Sequence, residues 1–293
     1  MQHNMFRRLM SLLVIFMMLT PAALAEEPVQ NFEAYTKSGV QLTGDAPSEK
    51  LPYKVYLSKD SFTFAILGID EQGEYTRPLR TFRTAIGTGN KTRKGSYFIE
   101  KKYDWYSWSW GGYTPYTCQM ADSKIRLHAT LHEVNEDFDS IYKGEYREIG
   151  TKSTQGCLRT TAVAAAWVFK NCDIGTEVYV ANDGLYTSED IPAIEDRDPT
   201  LEQAENVEIP VTFFDVTLEE LTLPVGCKDR VLVMGVAPEA SNTEDFLFFS
   251  DNEAVVTVDE HGTMTAVAPG TARILVGADD VNRAYRIVNI TVE

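Results

Sequence analysis

Two blocks of short, strand-like runs, separated by an acidic stretch with two prolines, limit what this chain can fold into more than any other feature. In the first block Val55, Leu57, Phe62, Phe64, Ile66 and Leu67 fall in runs rich in strand formers, broken at Lys59-Asp60-Ser61 and Asp70-Glu71-Gln72-Gly73. Comparable runs cover Leu79 to Ile86, Gly95 to Lys101, Lys124 to Thr130 and Glu177 to Val180, with Gly87, Gly89 and Gly95 marking turns. One helix is predicted over Ala162 to Lys170, where alanines surround Trp167, Val168 and Phe169 and Thr160-Thr161 are candidate caps. The second block alternates from Val211 to Ile290 at a spacing that predicts a small β-sandwich. Between them, residues 182–208 hold nine acidic side chains, one basic one (Arg197), Pro192 and Pro199, which reads as a solvated linker. The expected fold is mostly β: a β-rich domain with one main helix over residues 52–181, then a β-sandwich over residues 209–293.

The N-terminus differs in composition. Arg7 and Arg8, an apolar run from Leu9 to Leu19, and the small-residue ending Ala23-Leu24-Ala25 read as a secretory signal peptide over residues 1–25. Residues 26–51 then read as an extended leader without chemistry. The expected location is extracytoplasmic, in or near the cell wall or secreted. With 27 basic and 43 acidic residues, the formal charge of −16 disfavours nucleic acid as a partner. The four cysteines show no zinc-ligand spacing and only four histidines are present, so no metal is expected. Their disulfide connectivity stays open.

The chemistry concentrates at Ser153-Thr154-Gln155-Gly156-Cys157-Leu158-Arg159, between the strands and the alanine-rich helix. A helix N-terminus and Arg159 would both favour a Cys157 thiolate. Gly156 permits a bend that would turn successive amides, including that of Cys157, toward an oxyanion. A base has to accompany the thiol. His128 is the first candidate, because alternation puts it and Arg126 on the face opposite Ile125 and Leu127; His132 is its rival. His261 reads as a solvated turn residue. Aromatic residues from Tyr103 through Tyr116, including Trp105, Trp108, Trp110 and Tyr113, either line a sugar or peptide groove or pack a core.

These residues resemble the YkuD-type L,D-transpeptidases, whose signature is a His-Gly/Ser-Thr segment followed by Ser/Thr-His-Gly-Cys-Ile/Val-Arg. Here the two segments read His128-Ala129-Thr130 and Thr154-Gln155-Gly156-Cys157-Leu158-Arg159. The opening strand Val55 to Ser58, the segment Thr84 to Gly89, Thr92 to Phe98 and the later Gly175-Thr176-Glu177-Val178 extend the likeness over about residues 52–181. Gln155 replaces the family's second histidine, Arg93 its proline, and Ala129 its Gly or Ser. The 29 residues from His128 to Cys157 exceed the interval in many relatives and predict a loop over the cleft. The second block resembles the group 2 bacterial immunoglobulin-like domain, at Ser250 to Val258, Gly262 to Ala266 and Pro269 to Ala272.

The resemblance implies acyl transfer on peptidoglycan stem peptides, without a cofactor. Cys157 would be the nucleophile, His128 the base, and the amides of Gly156 and Cys157 the oxyanion donors. Arg159 would orient the donor or support the loop, and Thr154, Gln155, Thr130 and Tyr113 would contact substrate. Carbapenems would be inhibitors. L,D-carboxypeptidase activity, or a catalytically weak wall-binding or adhesive role, are the alternatives; wall polymer or a surface protein is the candidate partner of the C-terminal domain.

Overall fold

The computed structural model describes Phe32, Tyr35, Val40–Gln41 and residues 50–70 and 72–293. The signal-peptide reading and most of the leader lie outside these residues.

The first block folds into nine strands: β1 (Tyr53–Ser58), β2 (Thr63–Ile69), β3 (Tyr75–Gly87), β4 (Gly95–Ser107), β5 (Tyr113–Met120), β6 (Arg126–Ala129), β7 (Lys152–Thr154), β8 (Leu158–Thr160) and β9 (Glu177–Ala181). They hydrogen-bond in the order β2-β1-β9-β4-β5-β6-β8-β3-β7. The long strand β3 joins the two ends of this path, because residues 75–83 pair with β2 and residues 84–87 pair with β8 and β7. Alternation drives this assembly: Val55, Leu57, Phe64, Ile66, Ile86, Ile99, Leu127 and Leu158 all turn into one core.

Against that core lies α2 (Ala162–Asn171), preceded by the short α1 (Lys143–Arg147). Ala164, Ala165, Ala166, Trp167 and Val168 of α2 are buried, so alanine serves here both as a helix former and as a small residue that admits close packing. The expected cap is not used. Thr161 occupies the cap position without a side-chain hydrogen bond; the Ala162 amide instead donates to Asp198 Oδ2 (2.8 Å) and the Val163 amide to Thr200 Oγ1 (3.1 Å).

Asp198 belongs to residues 182–208, read above as a solvated linker, and the structure corrects that reading. Asp183 accepts from Tyr56 and Ser58, Ile194 packs with Ile141, Tyr146 and Ile149, and α3 (Leu201–Glu205) lies on α2 through buried Leu201 and Ala204. The acidic residues here accept hydrogen bonds from the domain, and the interspersed Ile and Leu bury themselves against it.

The second block comprises β10 (Phe213–Val216), β11 (Glu220–Leu223), β12 (Lys228–Arg230), β13 (Val233–Ala237), β14 (Phe246–Ser250), β15 (Val256–Val258), β16 (Thr263–Ala266), β17 (Gly270–Ala278) and β18 (Ala284–Val292). Antiparallel β14, β17 and β18 form its main sheet, β11 adds to β18 in parallel, and Val211, Phe214, Val231, Met264, Ile274 and Val288 fill the core. The leader is less detached than its composition implies: Val40–Gln41 pairs in parallel with β18, and the buried Tyr35 hydroxyl donates to Ala278 O (2.6 Å). Asn282 joins the blocks, donating to the Tyr53 hydroxyl (2.8 Å) and to Val211 O (2.9 Å).

Candidate active site

Strand β6 lies parallel to β8 with Leu127 opposite Leu158, His128 opposite Arg159 and Ala129 opposite Thr160. Leu127 and Leu158 enter the core, so Arg126, His128 and Arg159 share the other face. One step back in the same register Cys157 comes beside Arg126, and its thiol donates to Lys124 O (3.9 Å). Two strands about 4.8 Å apart, offset by two residues, set the Cys157 and His128 Cα atoms on the order of 8 Å apart on one face. The structure thus brings the expected nucleophile and base together on neighbouring strands.

A compact hydrogen-bond network shapes the turn that presents Cys157. The Gly87 amide donates to Thr92 Oγ1 (2.8 Å), which donates in turn to Gly156 O (2.8 Å). Thr154 Oγ1 donates to Cys157 O (2.7 Å) and accepts from the Gly156 amide (3.2 Å). Gly156 has φ 130°, and a Cβ on Gly87 would lie 2.8 Å from Gly156 Cα, so both positions require glycine. Thr92, missed by sequence reasoning as a site residue, ties β3 to the cysteine turn. Thr92→Val should lower stability by about 2 kcal/mol, because it strands the buried Gly87 amide and Gly156 carbonyl, and should also slow modification of Cys157. Urea unfolding together with alkylation kinetics checks both effects.

Three sequence-stated roles change. First, the Gly156 amide is engaged by Thr154, which leaves Cys157's own amide as the remaining candidate oxyanion donor. Second, Cys157 stands five residues before Ala162, across β8, and the α2 amides there are taken by Asp198 and Thr200, so the helix terminus gives the thiol no support. Burial instead raises the Cys157 pKa, against the opposing effects of the Arg126 amide and the Arg126 and Arg159 charges, which favours the neutral thiol. Third, of the two roles considered for Arg159, the contacts are those of loop support: Nη1 pairs with Glu145 (2.5 Å), and Nη2 with Glu148 (2.8 Å) and Ser153 Oγ (2.9 Å). The long interval thus forms α1 beside the site, held by Arg159 on one side and by Ile194 on the other.

His128 is buried beneath Trp108, with ring centroids 5.5 Å apart. Its Nδ1 lies 2.6 Å from Ala129 O, a carbonyl that can only accept, so Nδ1 carries the proton and Nε2 the lone pair. Burial, followed by the Arg159 and Arg126 charges, lowers its pKa to about 4 despite the bond to Ala129. His132, the rival, sits between Trp105 and Phe138 with both ring nitrogens buried and without hydrogen-bond partners. Its pKa is also lowered to about 4, mainly by burial. Gln155 is exposed and its Oε1 accepts from Lys91 Nζ, Thr130 is fully buried, and Tyr113 pairs through its backbone with His132. None of these three has a described contact with Cys157.

Both histidines take up protons more readily in the unfolded chain, with a pKa near 6.5, than in the folded one at about 4. Stability is therefore complete above pH 6.5 and falls as pH drops from 6.5 toward 4, by about 2–3 kcal/mol per histidine. Urea midpoints measured from pH 7.5 to 4.5 should fall accordingly, and His132→Leu should flatten the slope.

A mostly β domain with a cysteine and a histidine on adjacent parallel strands is the class that fold and site define. Residues 56–180 match the L,D-transpeptidase catalytic domain (YkuD), and residues 210–288 match the bacterial Ig-like domain, group 2. The chain carries a YkuD domain followed by an Ig-like domain. Among solved structures it is similar to an L,D-transpeptidase from Stackebrandtia nassauensis (18% identity, 49% of this chain and 62% of that one, TM-score 0.34). It is also similar to an L,D-transpeptidase from Mycobacterium smegmatis (12%, 44% and 58%, 0.35). A third likeness is to Bd1075 from Bdellovibrio bacteriovorus (11%, 83% and 93%, 0.33). These likenesses are distant, and the assignment rests on the two family matches. The chain spans less than two thirds of the length of these two L,D-transpeptidases. No curated protein sequence matches.

Proposed function

We propose that this chain is an exported L,D-transpeptidase that crosslinks peptidoglycan stem peptides through a thioester on Cys157. The observation that carries the reading is the placement of Cys157 and His128 on one face of β6 and β8, with the imidazole lone pair at Nε2. Cys157 Sγ attacks the carbonyl joining the stem's diamino acid to its terminal D-alanine while His128 Nε2 takes the thiol proton. The Cys157 amide stabilises the resulting oxyanion. The tetrahedral intermediate collapses, His128 returns the proton to the departing amine, D-alanine leaves and the thioester remains. An amine from a second stem then displaces sulfur, giving the crosslink and restoring the thiol. Export is supported by the charged, apolar and small-residue order of residues 1–25. Carbapenems fit the same chemistry, since a strained amide acylates the same sulfur.

Incubating the purified protein with disaccharide-tetrapeptide, followed by mass spectrometry of the products, tests the reading. Crosslinked dimers accompanied by released D-alanine are expected. Tripeptide alone would make water the acceptor and the activity that of an L,D-carboxypeptidase. Unchanged substrate would contradict both.

A further inference from the structure

A row of aromatic rings leads from the candidate base to the surface. Trp108 lies against His128, and Trp110 follows 5.6 Å further along, its ring tilted by 33° to that of Trp108. Trp108 is fixed by donating from Nε1 to Thr114 Oγ1 (3.1 Å), whereas Trp110 is 65% exposed. The turn that carries Trp110 is closed by the Trp108 amide donating to Gly112 O (3.1 Å) and the Gly111 amide donating to Trp108 O (3.0 Å). Gly111 and Gly112 both take positive φ, and a Cβ on Gly112 would meet Leu131 at 2.9 Å. The indole is therefore held out from a tight, anchored turn, with a large apolar face left in water next to the site.

Beneath this row lies a cation that the reaction as described does not use. The Arg126 guanidinium stacks on Tyr106 (4.3 Å) and Trp108 (5.2 Å). It donates to the Tyr106 hydroxyl (2.9 Å), Gln119 Oε1 (3.1 Å) and Lys124 O (3.3 Å), all uncharged acceptors. Among the described residues it has no carboxylate partner, and its buried Nε has no hydrogen-bond partner. A partly desolvated charge without a counterion favours an anionic ligand.

Spacing selects the ligand. The two ring-to-ring steps set Trp110 at most about 11 Å from His128, the reach of about three extended residues. Three residues also separate the scissile carbonyl of a stem tetrapeptide from the sugar that bears the stem. A pyranose ring offers an apolar face of C–H bonds to an indole while its hydroxyls stay hydrated, and the stem carries free carboxylates along the way.

We propose that Trp110 and Arg126 form a donor subsite in which the stem-bearing amino sugar stacks on Trp110 and a stem carboxylate pairs with Arg126, so that this site takes glycan-linked stems in preference to free peptide. The inference rests on the stem-peptide reading above and adds the sugar to the recognised substrate.

Binding separates the two. With Cys157→Ala protein, which cannot turn over, affinities are measured by isothermal titration for the disaccharide-tetrapeptide and for the free tetrapeptide. The disaccharide form should bind about tenfold more tightly, the scale of one stacked ring. Adding Trp110→Ala should bring the ratio close to one while leaving the affinity for free tetrapeptide unchanged; Trp110→Tyr should keep most of the preference. Arg126→Gln should weaken both ligands alike. Equal affinities in the Cys157→Ala protein, or a preference that survives Trp110→Ala, would overturn the subsite. Binding of neither ligand would remove the stem-peptide reading and the subsite with it.

Discussion

His128→Gln is expected to slow acylation of Cys157 by roughly two to four orders of magnitude, the usual contribution of a positioned general base. The size of the effect follows from the resting state of the pair. Burial raises the thiol pKa and so favours the protonated form, against the opposing Arg126 and Arg159 charges. The same burial keeps the imidazole neutral down to about pH 4. The proton must therefore move during attack, and Nε2 is the atom available to take it, because Nδ1 is committed to Ala129 O. The pH dependence carries the stronger signature. The unsubstituted protein should hold its acylation rate through pH 5 and lose it only as His128 protonates near pH 4. In His128→Gln the rate should follow the thiolate fraction instead, rising about tenfold per pH unit up to the raised thiol pKa. Stopped-flow acylation by a carbapenem across this range measures both. A loss under tenfold, or parallel pH profiles, would assign the base elsewhere.

The second large effect concerns Arg159. Its guanidinium is buried, and Glu145 and Glu148, which neutralise it, lie on and just after α1. Glu145→Gln with Glu148→Gln leaves that charge uncompensated, and stability should fall by about 2–3 kcal/mol, short of the full penalty because both carboxylates are partly exposed. The charge, no longer neutralised, should also act more strongly on its neighbours. Arg159 already favours the Cys157 thiolate, so in the double variant the pH midpoint for alkylation of Cys157 should move down. Denaturant unfolding and iodoacetamide kinetics report the two effects separately. An unchanged midpoint would mean that Arg159 acts on the loop alone.

Strands and the main helix were legible because local alternation and alanine content specify them: Val55 and Leu57 alternate with polar neighbours, and α2 begins and ends within one residue of its expected bounds. The common face of Cys157 and His128 was legible from the period of a strand. What sequence did not reveal depends on contacts between distant residues. Asp198 caps a helix that begins 36 residues before it, and Thr92 holds a turn 64 residues away; neither has a local signature. Composition also misled. Nine acidic side chains marked residues 182–208 as solvated, yet Asp198, Ile194 and Leu201 bury themselves there because the domain supplies donors and an apolar surface. The helix part of the thiolate expectation failed similarly, because β8 stands between Cys157 and the helix start, whereas the Arg159 charge does favour the thiolate.

The proposed chemistry turns on acylation of Cys157 with His128 as its base. Intact-mass spectrometry of the protein after incubation with a carbapenem, followed by peptide mapping, tests it most directly. One adduct of the carbapenem's mass is expected, on the peptide containing Cys157, absent from Cys157→Ala and slow to form in His128→Gln. No adduct on the folded protein, or the same adduct on Cys157→Ala, would contradict it.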